Sequence, residues 1–400
     1  MQLDKYDQAL LDGEYGETKQ KMMEILVSLG KIYDAERLIE VKNVQVSGAS
    51  FKTIGDAGLE WLNSLSGKAV VPSFLNPIGM PREGWESLGI PGEFGRKQLE
   101  VNAAYTRLGI RPSCTCTPYY FTLIERGDHL AWSESSAVVY ANSVLGARTN
   151  REGGPSALAS ALTGKTPEYG LHIVKNRLPE IEFRLADPEA AKSWTQAEYG
   201  ALGIIAGAIS GNKIPLFKGI RPKADMLKSM GAAMAASGAV ALFHVEDITP
   251  EARFPFFKKH FAEDEREVIT IENEEIKELF SELEPEAVAV GCPHLSRDEL
   301  QELADLLDGR TVKMPFYVFA AAEMKSSCAD AVSRIQKSGA RVIPDTCMIV
   351  SPLFEKRGCV MTNSGKAFTY LPGMCDTVPD RKSTRLNSSH RCTSRMPSSA

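Results

Sequence analysis

Apolar residues first recur with helical spacing between Thr18 and Leu38, where Met22, Ile25, Leu26 and Leu29 fall three and four apart. That spacing predicts a helix with one face turned inward. A strand-like run, Val41 to Val46, follows and breaks into Ser47-Gly48-Ala49-Ser50. A second apolar run, Ala69 to Leu75, ends in Asn76-Pro77-Ile78-Gly79. A helical stretch from Leu99 to Leu108 then leads into Ser113-Cys114-Thr115-Cys116-Thr117-Pro118-Tyr119. From Ser133 to Gly154 the chain is rich in glycine and small polar residues, which suits a site more than a scaffold.

The pattern is clearest near the C-terminus. Ala287 to Val290 reads as a short strand ending in Gly291-Cys292-Pro293-His294. Ser296, with Glu299 three positions on, predicts a capping box at the start of a helix. A strand (Val312 to Phe319), a helix (Ala322 to Lys337), a glycine turn and a further strand from Arg341 complete a βαβαβ order. Such an order predicts a parallel sheet covered by helices, so the fold class is α/β. Ligand sites in open α/β sheets form beyond the C-terminal strand ends, where Cys292 and Cys347 both fall. No internal repeat or long linker interrupts the chain.

Composition narrows the function classes. Four hundred residues with 43% hydrophobic content can bury several cores, which predicts two or three α/β modules. A net charge of −5 argues against non-specific nucleic-acid binding, which needs a basic face. The polar, acidic start has neither the basic nor the apolar segment of a signal peptide. No window approaches a membrane-spanning length, so the expectation is a soluble, cytoplasmic chain. Residues 376–400 read differently. Arg381 to Ala400 holds five Arg or Lys residues, no acid and no periodicity, and the string resembles a translated sequencing adapter. The expectation is a catalytic unit over residues 1–375 and a non-native, disordered tail over 376–400.

Eight cysteines in a cytosolic chain do not predict a disulfide framework, and none forms a C-x-x-C pair. Any metal site must be assembled from distant segments. Cys116, Cys292 and Cys347 stand in loops beside Thr-Pro, Pro-His and Asp-Thr, which favours them as ligands. For Cys328 and Cys359 a buried, structural thiol is the better reading. Three thiolates suit zinc, copper(I) or an iron–sulfur cluster, and leave one metal position for substrate. Gly48, Ala49 and Ser50, like Asn76 and Pro77, follow strands where backbone N–H groups can approach an anion, although an ordinary turn reads the same way. Glu134 and Ser135 lie among small residues, where burial is expected to raise a carboxyl pKa for proton handling. Arg148 and Arg151 are candidate anion clamps, and Lys366, in Asn363-Ser364-Gly365-Lys366, is a single positive charge outside any P-loop. His129, His172 and His244 show no ligand spacing and read as structural.

Five motifs in order, Thr115 to Tyr119, Ser133 to Gly154, Gly291 to His294, Asp345-Thr346-Cys347 and Asn363 to Lys366, resemble the aconitase X family, as do Gly13-Glu14-Tyr15-Gly16 and Ser47 to Ser50. The resemblance runs from Met1 to about Gly373. It implies an aconitase-like fold of three α/β/α modules around a central iron–sulfur site, lacking the swivelling fourth domain. It implies Cys116, Cys292 and Cys347 as cluster ligands, with Cys114 an extra. Gly48, Ala49, Ser50, Asn76, Pro77, Glu134, Ser135 and Lys366 would contact substrate, with Glu134 and Ser135 catalytic. The expected cofactor is a 4Fe-4S cluster, although aconitases proper carry a C-x-x-C pair that this chain lacks. The implied reaction dehydrates a small phosphorylated hydroxy acid, (R)-5-phosphomevalonate, to trans-anhydromevalonate 5-phosphate in a modified mevalonate pathway. The alternatives are cis-3-hydroxy-L-proline as substrate, and a non-catalytic cluster- or zinc-binding scaffold. The implied partner is a separate small subunit, the swivelling domain that carries the base.

Overall fold

The computed structural model describes residues 1–261, 266–280 and 284–375, so the tail at 376–400 lies outside the described residues. The strands are β1 (Leu38–Glu40), β2 (Asn43–Val46), β3 (Ser73–Leu75), β4 (Leu130–Trp132), β5 (Lys165–Pro167), β6 (Ile181–Leu185) and β7 (Pro215–Lys218). They continue as β8 (His244–Val245), β9 (Glu267–Ile271), β10 (Ala287–Val290), β11 (Phe316–Ala320), β12 (Arg341–Pro344) and β13 (Val360–Met361). Three parallel sheets follow in chain order, β3-β2-β4, β8-β7-β6-β9 and β12-β11-β10-β13, and β1 pairs with β5 antiparallel. Each parallel sheet with its crossover helices makes one α/β unit, so the three expected modules are present.

Parallel strands covered on both faces carry apolar residues on both. β11 is buried along its whole length, Phe-Tyr-Val-Phe-Ala, and so is β2. In the first unit the helix Glu17–Ile32 packs on the helix Gly154–Thr163, which in turn packs on β2, and Met22, Met23 and Leu26 join that core. Fully burying one such side chain contributes about 1.5–3 kcal/mol. The helix Glu17–Ile32 ends earlier than the spacing predicts. Asp34 takes φ 51°, which stops the helix, and Leu38 pairs instead with Pro167. Of the apolar run from Ala69, only Ser73–Leu75 is strand, because the Ala69 and Val70 N–H groups bond to Leu108 and Ala161 (both 2.8 Å). The predicted helix over 322–337 breaks at Cys328 (φ −115°, ψ 36°). The break turns Met324 and Cys328, as well as Val332 and Ile335, onto the third unit's core.

Two contacts bring the units together around one seam. The segment after β3 pairs with the segment after β12: the Ile78 N–H donates to Asp345 O (3.0 Å) and the Cys347 N–H to Ile78 O (2.9 Å). The helix Gly365–Met374 of the third unit packs against Gln196–Ser210 of the second at Gly200. A Cβ on Gly365 would meet the Gly200 carbonyl oxygen and the Ala233 methyl, each at 2.7 Å, so only glycine allows this approach.

Candidate active site

The C-terminal ends of the first and third sheets meet at this seam. β2 delivers Gly48, Ala49 and Ser50, β3 delivers Asn76 and Pro77, and β4 delivers Glu134 and Ser135. From the third sheet, β10 delivers Cys292, β12 delivers Cys347, and β13 leads to Lys366 on the first turn of its helix. Gly291 makes the Cys292 turn possible. Its φ is 101°, and a Cβ there would meet the Phe319 carbonyl oxygen at 2.2 Å.

Glu134 and Lys366 form an ion pair, with side chains 13% and 11% exposed. Asn76 Nδ2 donates to the other carboxylate oxygen (2.6 Å), and the Ser135 and Ser136 hydroxyls donate to the first (3.5 and 3.2 Å). Burial pushes the Glu134 pKa up, but the Lys366 ammonium and the hydrogen bonds outweigh it and hold the carboxyl at about 2. The expectation of a raised carboxyl pKa is therefore corrected: Glu134 is ionised. The physical reason is a cation supplied from a distant part of the chain. Lys366 is in turn held well above its ordinary range by Glu134.

Cys116 is buried, whereas Cys292 and Cys347 stay partly open to solvent. Cys292 lies within electrostatic range of both Cys116 and Cys347, and Lys366 faces Cys292 and Cys116. Burial raises all three thiol pKa values, that of Cys292 to about 12. Thiols held neutral beside a lysine are a set that a bound electrophilic metal would deprotonate. Among the described residues, no group of three or more His, Cys, Asp or Glu side chains is close enough to hold one metal ion. Three thiols make a soft donor set, of the kind that holds zinc or an iron–sulfur cluster.

Residues that sequence patterns did not single out hold the site in register. Gln98, fully buried, donates to Ala49 O (2.7 Å) and accepts from the N–H groups of Phe51 (3.1 Å) and Gly79 (3.3 Å), joining the loops after β2 and β3. Gln45 Nε2 donates to Thr115 O (2.9 Å) and Asn76 Oδ1 (3.4 Å), joining the Cys116 loop to the Glu134 network. Neither glutamine stands in a recognisable pattern, because each acts across chain segments. Arg148 is not part of this seam: it bridges to His129, at the opposite end of β4. Arg151 donates to Ala235 O (3.2 Å). His129 and His172 pair through Nδ1 atoms (2.9 Å), and His244 Nε2 meets Arg177 O (2.8 Å), as structural histidines do.

The architecture of three α/β units is matched by known proteins. Aconitase X first, second and third domains match residues 1–175, 179–281 and 285–394, one for each sheet. The chain belongs to the aconitase X family. It is 51% identical to the phosphomevalonate dehydratase large subunit of Methanosarcina mazei over 94% of this chain and 93% of that one. It is 34% identical to the cis-3-hydroxy-L-proline dehydratase of Pseudomonas aeruginosa, over 93% of this chain but 67% of that protein. The crystal structure of Thermococcus kodakaraensis aconitase X in its holo form matches with a TM-score of 0.85 at 41% identity, over 96% of this chain and 99% of that one. No helix among the described residues is long and apolar enough to cross a membrane.

Proposed function

We propose that residues 1–375 form the large subunit of a phosphomevalonate dehydratase, a hydro-lyase acting on (R)-5-phosphomevalonate. The observation that carries this reading is the buried Glu134–Lys366 pair set beside the three thiols of Cys116, Cys292 and Cys347. Those cysteines would hold an iron–sulfur cluster, of 4Fe-4S type in this reading, and family membership supports the cofactor. When bound, the cluster supplies Lewis acidity that makes hydroxide a workable leaving group.

The chain's own groups bind and orient. The N–H groups of Gly48, Ala49 and Ser50 stand just before the helix Phe51–Ser64, whose N-cap is Ser50, and suit an anionic oxygen. Lys366 offers its ammonium to a substrate carboxylate or phosphate. As it does so, Glu134 loses its main counter-charge, its pKa rises, and it becomes able to carry a proton. Ser135, whose hydroxyl touches that carboxylate, keeps it oriented. In the overall reaction a C2 proton passes to a base, the C–H electron pair becomes the C2–C3 double bond, and hydroxide leaves C3 with its bonding pair and takes up the equivalent of that proton to become water.

The base belongs to a partner in this reading. Several relatives are named large subunits, and the longer Pseudomonas hydroxyproline dehydratase carries additional length that a separate small subunit would supply. A cytoplasmic setting belongs to the same reading. Identity of 51% to a phosphomevalonate enzyme against 34% to the hydroxyproline enzyme favours the former substrate. Co-expression with a small subunit, followed by anaerobic assay of both substrates, tests it. Turnover of phosphomevalonate only with the partner present is expected. Turnover of cis-3-hydroxy-L-proline alone would overturn the substrate, and full activity without the partner would overturn the division of labour.

A further inference from the structure

His294 takes no part in the reading above, yet it touches all three cysteine-bearing segments. It follows Cys292 by two residues, and its backbone N–H donates to Cys116 Sγ (3.2 Å). Its Nε2 lies 2.9 Å from the carbonyl oxygen of Thr346, next to Cys347, and its Nδ1 lies 3.3 Å from Thr115 Oγ1, next to Cys116. These partners settle the tautomer. A carbonyl only accepts, so Nε2 carries the hydrogen, Nδ1 accepts, and the Thr115 hydroxyl donates. The residue is 1% exposed, so water does not compete for these contacts.

A second tie comes from behind. Lys228, on the helix Ala224–Ser237 of the second unit, donates to the His294 carbonyl oxygen (3.3 Å) and is only 2% exposed. Its ammonium also pairs with Glu299, whose carboxylate accepts from the Ser296 N–H (2.6 Å) at the cap of the next helix. The turn bearing Cys292 is thus gripped from the first unit, the second unit and its own. Outer groups of this kind orient ligands and tune a metal centre without touching it.

We propose that His294, braced by Lys228, is the positioning residue that sets the three cysteine loops at one spacing. This rests on reading Cys116, Cys292 and Cys347 as cluster ligands. The test reconstitutes the full chain and its variants anaerobically with iron and sulfide. It reads visible absorbance, iron per chain, and the rate of iron loss to a ferrous chelator, with the apo melting point measured alongside. His294→Ala and Lys228→Met should lose iron roughly 10- to 100-fold faster than wild type. His294→Asn, whose Oδ1 can still accept from Thr115, and His294→Gln, whose amide can still donate to Thr346, should each recover part of that loss. If the alanine variant fails to fold, the Asn and Gln variants carry the comparison, and release faster than wild type is expected of both. Wild-type protein that takes up no cluster sinks the ligand reading and this proposal with it. Wild-type uptake, with variants that match it in spectrum, iron content and release rate, sinks this proposal alone.

Discussion

Lys366 and Glu134 stand 232 residues apart in the chain, yet their side chains form a buried ion pair across the seam between the first and third units. The pair ties β4 to the helix after β13 and leaves two opposite charges in a crevice with little water. Removing one partner leaves the other buried without its counter-charge. Lys366→Ala should therefore destabilise the apo chain by about 3 kcal/mol, Glu134→Gln by less, and the double variant by less than the sum. Urea denaturation of the three variants measures this; strict additivity would show that the two charges do not interact.

The same pair predicts a kinetic split. Lys366→Ala should raise KM about 10- to 100-fold through loss of a charge-assisted contact to an anionic substrate. Glu134→Gln keeps the shape and loses the proton-handling group, so kcat should fall with KM nearly unchanged. Steady-state kinetics of the reconstituted two-subunit enzyme separate the two effects.

Among the cysteines, Cys116→Ser, Cys292→Ser and Cys347→Ser should abolish the visible absorbance of the reconstituted protein. Cys328→Ser and Cys359→Ser should keep it, since Cys328 packs into the third core and Cys359 precedes β13 away from the seam. Full absorbance in all three of the first variants would remove them as ligands.

Arg177 is fully buried and uses all its donors. Nε donates to Glu251 (2.7 Å), Nη1 to Asn142 Oδ1 (3.1 Å) and Leu171 O (2.9 Å), and Nη2 to Asn142 O (3.2 Å) and Ala147 O (3.0 Å). No other side chain reproduces this planar set of donors. Arg177→Lys should cost about 3–5 kcal/mol, seen as a Tm lower by several degrees, while cluster absorbance at low temperature stays unchanged.

Acid should weaken the fold well before most carboxylates titrate. Burial holds His172 at about 3 and His244 at about 4, below the ordinary 6.5. The unfolded chain therefore takes up protons that the folded chain refuses, and stability, full above about pH 6.5, falls as pH drops towards 4. Melting scans of the apo chain from pH 8 to 5 should show a plateau and then a decline. His172→Gln should make the decline shallower, and an unchanged slope would show that His172 does not contribute to it.

Much of the third unit was legible because its signals are local. The Ser296–Glu299 capping box needs only three residues of separation, and both its bonds form (3.1 and 2.6 Å). The second unit gave no comparable pattern. Its helices Gln196–Ser210 and Ala224–Ser237 are rich in Ala and Gly and bury residues nearly all the way round, so no polar face marks a period. The aconitase X motifs supplied the module count that periodicity could not.

The sequence by itself determined which residue types stand at the strand ends: small residues and Asn in the first sheet's loops, cysteines and a lysine in the third's. It carried the parallel α/β class and the three candidate thiols, because strand ends, caps and glycine turns are short-range features. Only the tertiary structure decided that Lys366 meets Glu134, which reversed the expected shift of that carboxyl. It alone decided that Gln45, Gln98 and Lys228 brace the loops. The reason is physical: burial and Coulomb interaction depend on distance in space, and residues hundreds of positions apart acquire that distance only when the sheets close on one another.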